Sequence, residues 1–307
     1  MPHFLLKRFC LAACLFLWLV SGCTVPLSTG AEMLASAQGE VLKPTLAPGT
    51  PPSLTQMQGR VGTSTLARIQ QRGVLLVGTA IAPPYDFYDS QSKMLVGLDV
   101  DVIRYVAGRL GVEVEWVTMP FGALLPALQE NKIDVTIAGM HITPERERVI
   151  DFSAPYLSSG LVMLVRPELA WQIRQVDDLS NRRVGVKIGA TGERFAEDLK
   201  ARGVAIEIKR YKETVDSLLD LEVGRLDVVF NDYINSLNYL QQNNSSLVIA
   251  RDEGQDAILL TRVGLGIGVA QGNQELVHVI NDALSQMQQD GTYAEICNRW
   301  LTPDSTK

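Results

Sequence analysis

Along residues 65–301, short continuous aliphatic runs alternate with longer segments whose apolar positions recur at helical spacing. The first kind reads as buried strand and the second as amphipathic helix. VLLVGT (Val74–Thr79) is a predicted strand, preceded by a short helix ending at Gly73. Residues 99–110 carry Val102, Ile103, Val106 and Leu110 on one face and stop before Gly111, a residue type suited to the left-handed turn that closes a helix. A strand at 112–117, a helix at 124–129 and a buried strand at 133–138 follow. Thr143-Pro144 then opens a helix, a hydroxyl cap followed by proline at the first helical position.

The second half repeats this plan, with strands at 183–188, 204–208 and 226–230 and helices at 193–202, 214–223 and from Tyr233. Residues 273–301 read as helix and are expected to pack back on the first half. Such alternation predicts an α/β fold with mainly parallel sheets. LQENKIDVTIAG (128–139) also lines up with LEVGRLDVVFND (221–232), which predicts two lobes of related design. Chance likeness between two βα units is the alternative.

The N-terminus departs from this pattern. Lys7 and Arg8 precede an apolar run, FCLAACLFLWLV (9–20), too short to span a bilayer comfortably, and small residues follow. Residues 1–22 are thus expected to be a signal peptide. Val20-Ser21-Gly22-Cys23 resembles a bacterial lipobox, which implies that Cys23 is lipidated and becomes the mature terminus. An ordinary cleaved signal or a membrane-anchoring helix are the alternatives. Residues 23–64, rich in Pro, Gly, Ser and Thr, cannot bury enough apolar surface to offset their ordering entropy and are expected to form a tether.

Composition narrows the function. The chain has 307 residues, is 46% hydrophobic and 20% charged, and carries a formal net charge of -6, which gives no support to nucleic-acid binding. Of its 4 cysteines, Cys10 and Cys14 leave with the signal. A lipidated Cys23 leaves Cys297 alone, so no disulfide or cysteine metal site is expected within one chain. Cys297 is expected to be buried in the C-terminal helix.

Open α/β sheets bind ligands beyond the C-terminal ends of their strands, and three candidates fall there. Arg146 lies in the first turn after Thr143-Pro144, where its planar fork of donors suits a carboxylate. A surface ion pair with Glu145, Glu147 or Asp151 is the plainer alternative. Gly189-Ala190-Thr191-Gly192 links a strand to a helix and offers free N–H groups, or is a plain turn. Asp232 ends a strand where it can receive an ammonium, or serves only as a helix cap. A cation from one lobe and an anion from the other match the two charges of an α-amino acid, whose binding would draw the lobes together.

PPYDFYD…VGLDVDV, FGALLPALQENKIDV, AGMHITPERERVIDFSAPY, RVGVKIGATGERF, GRLDVVFNDY and QDGTYAEICNRWL together resemble the polar-amino-acid family of periplasmic solute-binding proteins of ABC transporters. The likeness covers about 65–301. It implies a two-lobed periplasmic-binding-protein-like fold of type II, the second lobe inserted into the first through a two-strand hinge. The expected division is 65–157 and 265–307 for lobe one and 158–264 for lobe two.

Carried over by position, the resemblance implies that Arg146 clamps the carboxylate and Asp232 takes the ammonium. Gly139 offers its carbonyl, and Thr191 supplies donors. His141 stands where relatives place a small hydroxyl residue. Phe121 packs on the ligand, and Lys187 and Asn231 reach its side chain. The stretch 79–84 lacks the acidic residue found in relatives for cationic amino acids, which points to a polar neutral or acidic ligand.

The implied function is an extracytoplasmic, lipid-anchored, monomeric amino-acid-binding protein that serves a membrane permease, with no cofactor or metal and no enzymatic role. The alternatives are an extracytoplasmic dehydratase of the same fold, acting on prephenate or arogenate, and a ligand-sensing partner of a receptor. No GxSxG elbow or complete Ser/His/Asp arrangement is legible.

Overall fold

The computed structural model describes residues 64–252 and 257–301. The signal peptide, Cys23 and all of the tether except Ser64 lie outside the described residues.

Helix α1 (Thr65–Arg72) is bounded by its own end residues. The Ser64 hydroxyl accepts from the Ala67 N–H, and Gly73, at φ 72°, closes the other end. Then come β1 (Val74–Thr79), the hairpin strands β2 (Phe87–Tyr88) and β3 (Leu95–Val96), α2 (Leu98–Leu110) and β4 (Glu113–Thr118). A single 3-10 turn at Phe121–Ala123 leads into α3 (Leu124–Gln129), β5 (Val135–Thr136), α4 (Pro144–Glu147) and β6 (Ile150–Phe152). The first sheet has the order β4-β1-β5, then β13 (Gly268–Ala270), then β6. Strand β1 is parallel to β4 and β5, while β13 runs antiparallel to β5 and β6.

Between these pieces lie β7 (Leu157–Val165), β8 (Arg183–Lys187), α5 (Thr191–Ala201), β9 (Glu207–Tyr211), α6 (Thr214–Glu222), β10 (Val228–Asp232), α7 (Tyr233–Gln242), β11 (Val248–Ile249) and β12 (Thr261–Leu265). They form a second sheet of order β11-β7-β10-β8-β9, with β12 also paired to β7. Helices α8 (Gln274–Gln289) and α9 (Thr292–Leu301) return to the first lobe, where Leu276, Ile280, Leu284 and Ile296 join Val102, Ile103 and Val106 in one core. Cys297 is buried in that core.

The fold is thus a two-lobed α/β architecture of the type II periplasmic-binding-protein class. The chain passes from one sheet to the other twice, just before β7 and just after β12. These two strands pair antiparallel from Leu157↔Leu265 to Leu161↔Thr261, so both crossings lie side by side. Strand β7 is buried along Val162, Met163, Leu164 and Val165, and each such side chain contributes about 1.5–3 kcal/mol by leaving water.

The element order agrees with the sequence pattern, and three bounds differ. The strand expected at 133–138 pairs only over Val135–Thr136. The strand expected at 204–208 pairs over Glu207–Tyr211, at the sheet's edge, where exposed Glu207, Lys209 and Arg210 carry no aliphatic signature. The helix expected over 273–301 is two helices, broken at Gly291 with φ 87°.

Candidate functional site

The strand ends of both lobes face one groove, and most of its lining comes from the loops just past those ends. In the first lobe, Thr143 caps α4 and Pro144 fixes its first turn, which places Arg146 at the third helical position with its side chain turned inward. Arg146 is 7% exposed, and its guanidinium donates to the carbonyls of His141 (2.7 Å) and Gly189 (3.1 Å). Its Cζ lies 5.3 Å from the ring centre of Phe121. No carboxylate pairs with Arg146 among the described residues, so the surface ion pair with Glu145, Glu147 or Asp151 does not form. Burial lowers its pKa to about 10.

Lys187, at the end of β8, approaches the same ring at 5.2 Å. It is 7% exposed, donates to the Ile81 carbonyl at 3.4 Å, and pairs with no carboxylate among the described residues. Burial lowers its pKa too, against the opposing pull of Glu213 and Asp86. Two buried cations therefore lie near one aromatic ring with no ion-paired carboxylate among the described residues, an arrangement that an anion would stabilise.

Asp232 closes β10 and caps α7, and both readings of it hold together. Its Oδ1 accepts from the Tyr85 hydroxyl (2.7 Å) and the Asn235 N–H (2.9 Å). Its Oδ2 accepts from the Ser159 hydroxyl (2.5 Å) and from Nε2 of His141 (2.9 Å). Burial pushes this carboxyl up, but His141, Asn235 and Ser159 outweigh burial and hold it below its ordinary value. It is therefore an anion at neutral pH. An ionised carboxylate only accepts, so Nε2 of His141 carries the proton between them.

The other ring nitrogen of His141 lies 2.9 Å from Oγ1 of Thr191, the first residue of α5. Both imidazole nitrogens are thus on protein atoms, and hydroxyl, imidazole and carboxylate stand in series across the two lobes. Gly139 has φ 56°, and a Cβ there would stand 2.5 Å from the Tyr85 ring. Its N–H donates to Asp99 at 2.6 Å. The Asn231 amide nitrogen is spent on Asn235 (2.7 Å) and Ser236 (3.0 Å). At the mouth, Gly189 (φ 77°) meets Gly122 of the other lobe so closely that a Cβ would lie 2.7 Å from its Cα.

All eight ligand-contact candidates, Arg146, Asp232, Gly139, His141, Thr191, Phe121, Lys187 and Asn231, line this one groove, which holds ≈ 510 Å³, part of it open to solvent. Sequence reasoning missed Tyr85, Ser159 and Asn235, which with His141 fill Asp232. The one available signal was PPYDF, whose tyrosine follows the first strand.

Behind the groove, Asp86 is fully buried and neither of its carboxyl oxygens has a hydrogen-bond partner, nor does the hydroxyl of buried Thr79. Burial, then the charge of Asp99, raises the Asp86 pKa well above the carboxylate range. Asp99 is raised by burial to about 7, despite donors from Gly139 and Tyr156. Both carboxyls thus resist ionisation inside the fold, and neither forms an ion pair with Lys187.

Residues 75–303 match the model of the bacterial extracellular solute-binding proteins, family 3. The L-cystine-binding protein TcyJ of Escherichia coli (strain K12) is 31% identical over 243 residues, 79% of this chain and 88% of that protein. Among solved structures, the P235GK mutant of the arginine-binding protein ArgBP from T. maritima superposes with TM-score 0.71 at 34% identity, covering 78% of this chain and 99% of that one. An ancestral amino-acid-binding protein, a precursor of cyclohexadienyl dehydratase, superposes with TM-score 0.68 at 32% identity, covering 78% and 99%.

Proposed function

This chain belongs to family 3 of the bacterial extracellular solute-binding proteins, and from that premise we propose that its groove captures an acidic or polar neutral amino acid for an ABC-type importer. Extracytoplasmic amino-acid binding is the family's work. The ligand class is read from the charges around Phe121. Among the residues that line the groove, Arg146 and Lys187 bring two positive charges and Asp232 one negative, so the lining complements a ligand of net negative charge. The α-carboxylate would sit on Arg146, the ammonium at Asp232, and the side chain against Phe121 with its end toward Lys187. Gly139 and Thr191 would add backbone and hydroxyl contacts, and Asn231 a contact through its amide oxygen.

The observation that carries this reading is the pair of buried cations that both approach one aromatic ring, with no carboxylate in ion-pair contact with either among the described residues. It also disfavours lysine and arginine, which would add a third positive charge. A thermal-shift screen of the twenty amino acids tests it, since a tight ligand raises apparent stability. Glutamate, aspartate or glutamine should give the largest shift. The largest shift with arginine or lysine would refute the charge argument.

We further take the lobes to divide at 157/158 and 264/265, and Cys23 to be lipidated, so that a tether of 23–64 holds a monomer near its permease. Support for the anchor is the small-small-Cys triplet directly after the apolar run. Metabolic labelling with a fatty acid, lost in Cys23→Ser, tests it. A dehydratase reading is favoured only by the Thr191–His141–Asp232 series; ketoacid formed from prephenate by the pure protein would establish it.

A further inference from the structure

A carboxylate has about four lone-pair directions, and in Asp232 all four are taken. Tyr85 and the Asn235 N–H fill Oδ1, and Ser159 and His141 fill Oδ2. An ammonium arriving at this carboxylate finds no open acceptor. Three of the four donors are held by structure that does not yield easily. The Asn235 N–H is part of the cap of α7, Ser159 sits within β7, and the Tyr85 ring is packed under Gly139. His141 is the exception. It belongs to a loop after β5, lines the groove itself, and presents to Asp232 a nitrogen heterocycle that can carry positive charge.

We propose that His141 is the resident occupant of the ammonium position, and that an amino acid binds by displacing its imidazole from Asp232. This rests on the amino-acid reading of the groove and adds a determinant of affinity and selectivity to it. The exchange is one donor for another, so the ammonium contributes only the difference between two bonds to the same carboxylate. A deaminated analogue leaves His141 in place and keeps Asp232 satisfied. It escapes the penalty that a vacant buried carboxylate would impose. Discrimination for the amino group is therefore weaker here than it would be with a small hydroxyl residue at position 141.

His141 is buried, so leaving Asp232 requires its ring to exchange each polar contact around it. Besides Asp232 from β10, the groups around the imidazole are the Thr191 hydroxyl of α5 and the hydroxyls of Tyr85 and Ser159, which share its carboxylate. The charged groups nearby are Arg146, on the carbonyl of His141 itself, and Lys187, in the lining of the same groove. Neither cation bonds the ring, and both bear on whatever charge it carries. The Thr191 hydroxyl can rotate to release Nδ1 without losing a place in α5.

The test compares the protein with His141→Ser and His141→Thr by calorimetry, using L-glutamate, L-glutamine and glutarate, which is glutamate without its amino group. Both variants should bind the amino acids about tenfold more tightly. Glutarate should gain nothing, because its complex now leaves Asp232 one donor short, so the preference for the amino group widens by at least the same factor. In protein labelled with 15N at histidine, the ring signals lost in His141→Ser should move on saturation with L-glutamate and stay put with glutarate. Loss of affinity for all three compounds together would make the imidazole an ordinary ligand contact and overturn the proposal. An unchanged preference would do the same. No binding of either amino acid to any of the proteins at millimolar concentration would instead remove the amino-acid reading, and this inference with it.

Discussion

Replacing Arg146 by methionine should destroy binding while leaving the empty protein as stable as before, or more stable. Burial lowers the guanidinium pKa to about 10, and at about 1.4 kcal/mol per pKa unit, holding the charge in the free protein costs about 3 kcal/mol. A cation whose folded pKa is lowered carries that cost at every pH below about 10 and sheds it only as pH rises beyond that value. At neutral pH the cost is present in full. Methionine removes it, but leaves the carbonyls of His141 and Gly189 without their donor, at about 1 kcal/mol each where water does not reach. The balance favours the variant by about 1–2 kcal/mol, which raises Tm by about 2–8 °C for a protein of this size.

Binding moves the other way. A ligand carboxylate that loses its buried partner loses about 2–5 kcal/mol, or about 30- to 5,000-fold in Kd. Thermal unfolding without ligand and calorimetry with the tightest amino acid from the screen measure the two halves. A fall in Tm of more than about 5 °C would show that Arg146 holds the lobes together for structural reasons. Near-native affinity would refute its place at the ligand carboxylate.

The other side chains give equally direct outcomes. Lys187→Gln should weaken acidic amino acids by about 10- to 100-fold and spare neutral polar ones; calorimetry that finds glutamate unaffected would remove Lys187 from the side-chain site. Asp99, beside buried Asp86, resists ionisation when folded, so its penalty is full above about 7 and is relieved as pH falls through that value. Stability should therefore gain from this pair between about pH 8 and about pH 5, and Asp86→Asn should be more stable at the upper pH with a flatter profile; an unaltered slope by thermal unfolding would refute this. Gly139→Ala forces a side chain onto a φ of 56° and against the Tyr85 ring, costing about 1–3 kcal/mol or more and weakening binding as Tyr85 shifts from Asp232. An alanine accepted without loss of either would contradict that geometry.

Most of the fold was legible because helices such as α2 carry both a periodic apolar face and a glycine stop. The inner strands were legible as continuous aliphatic runs. Edge strand β9 was misplaced because its outward residues are charged, and no hydrophobic period marks a strand half in solvent. The site was legible where chemistry and topology coincide, as for Arg146 after a capped turn and Asp232 at a strand end. Tyr85 and Ser159 were not, since each meets Asp232 across a large span of chain, and no local pattern encodes such a meeting. Nor could spacing show that Asp232 is saturated. That required every donor around it to be placed in space.

The bare backbones of Gly122 and Gly189 give the mouth its seal. Two lips that touch without side chains can shut flush, and a single methyl on the second would act as a doorstop. A protein wedged ajar in this way would still admit its cargo but let it escape quickly. The width at which the two lobes come to rest would then be set by that one added carbon.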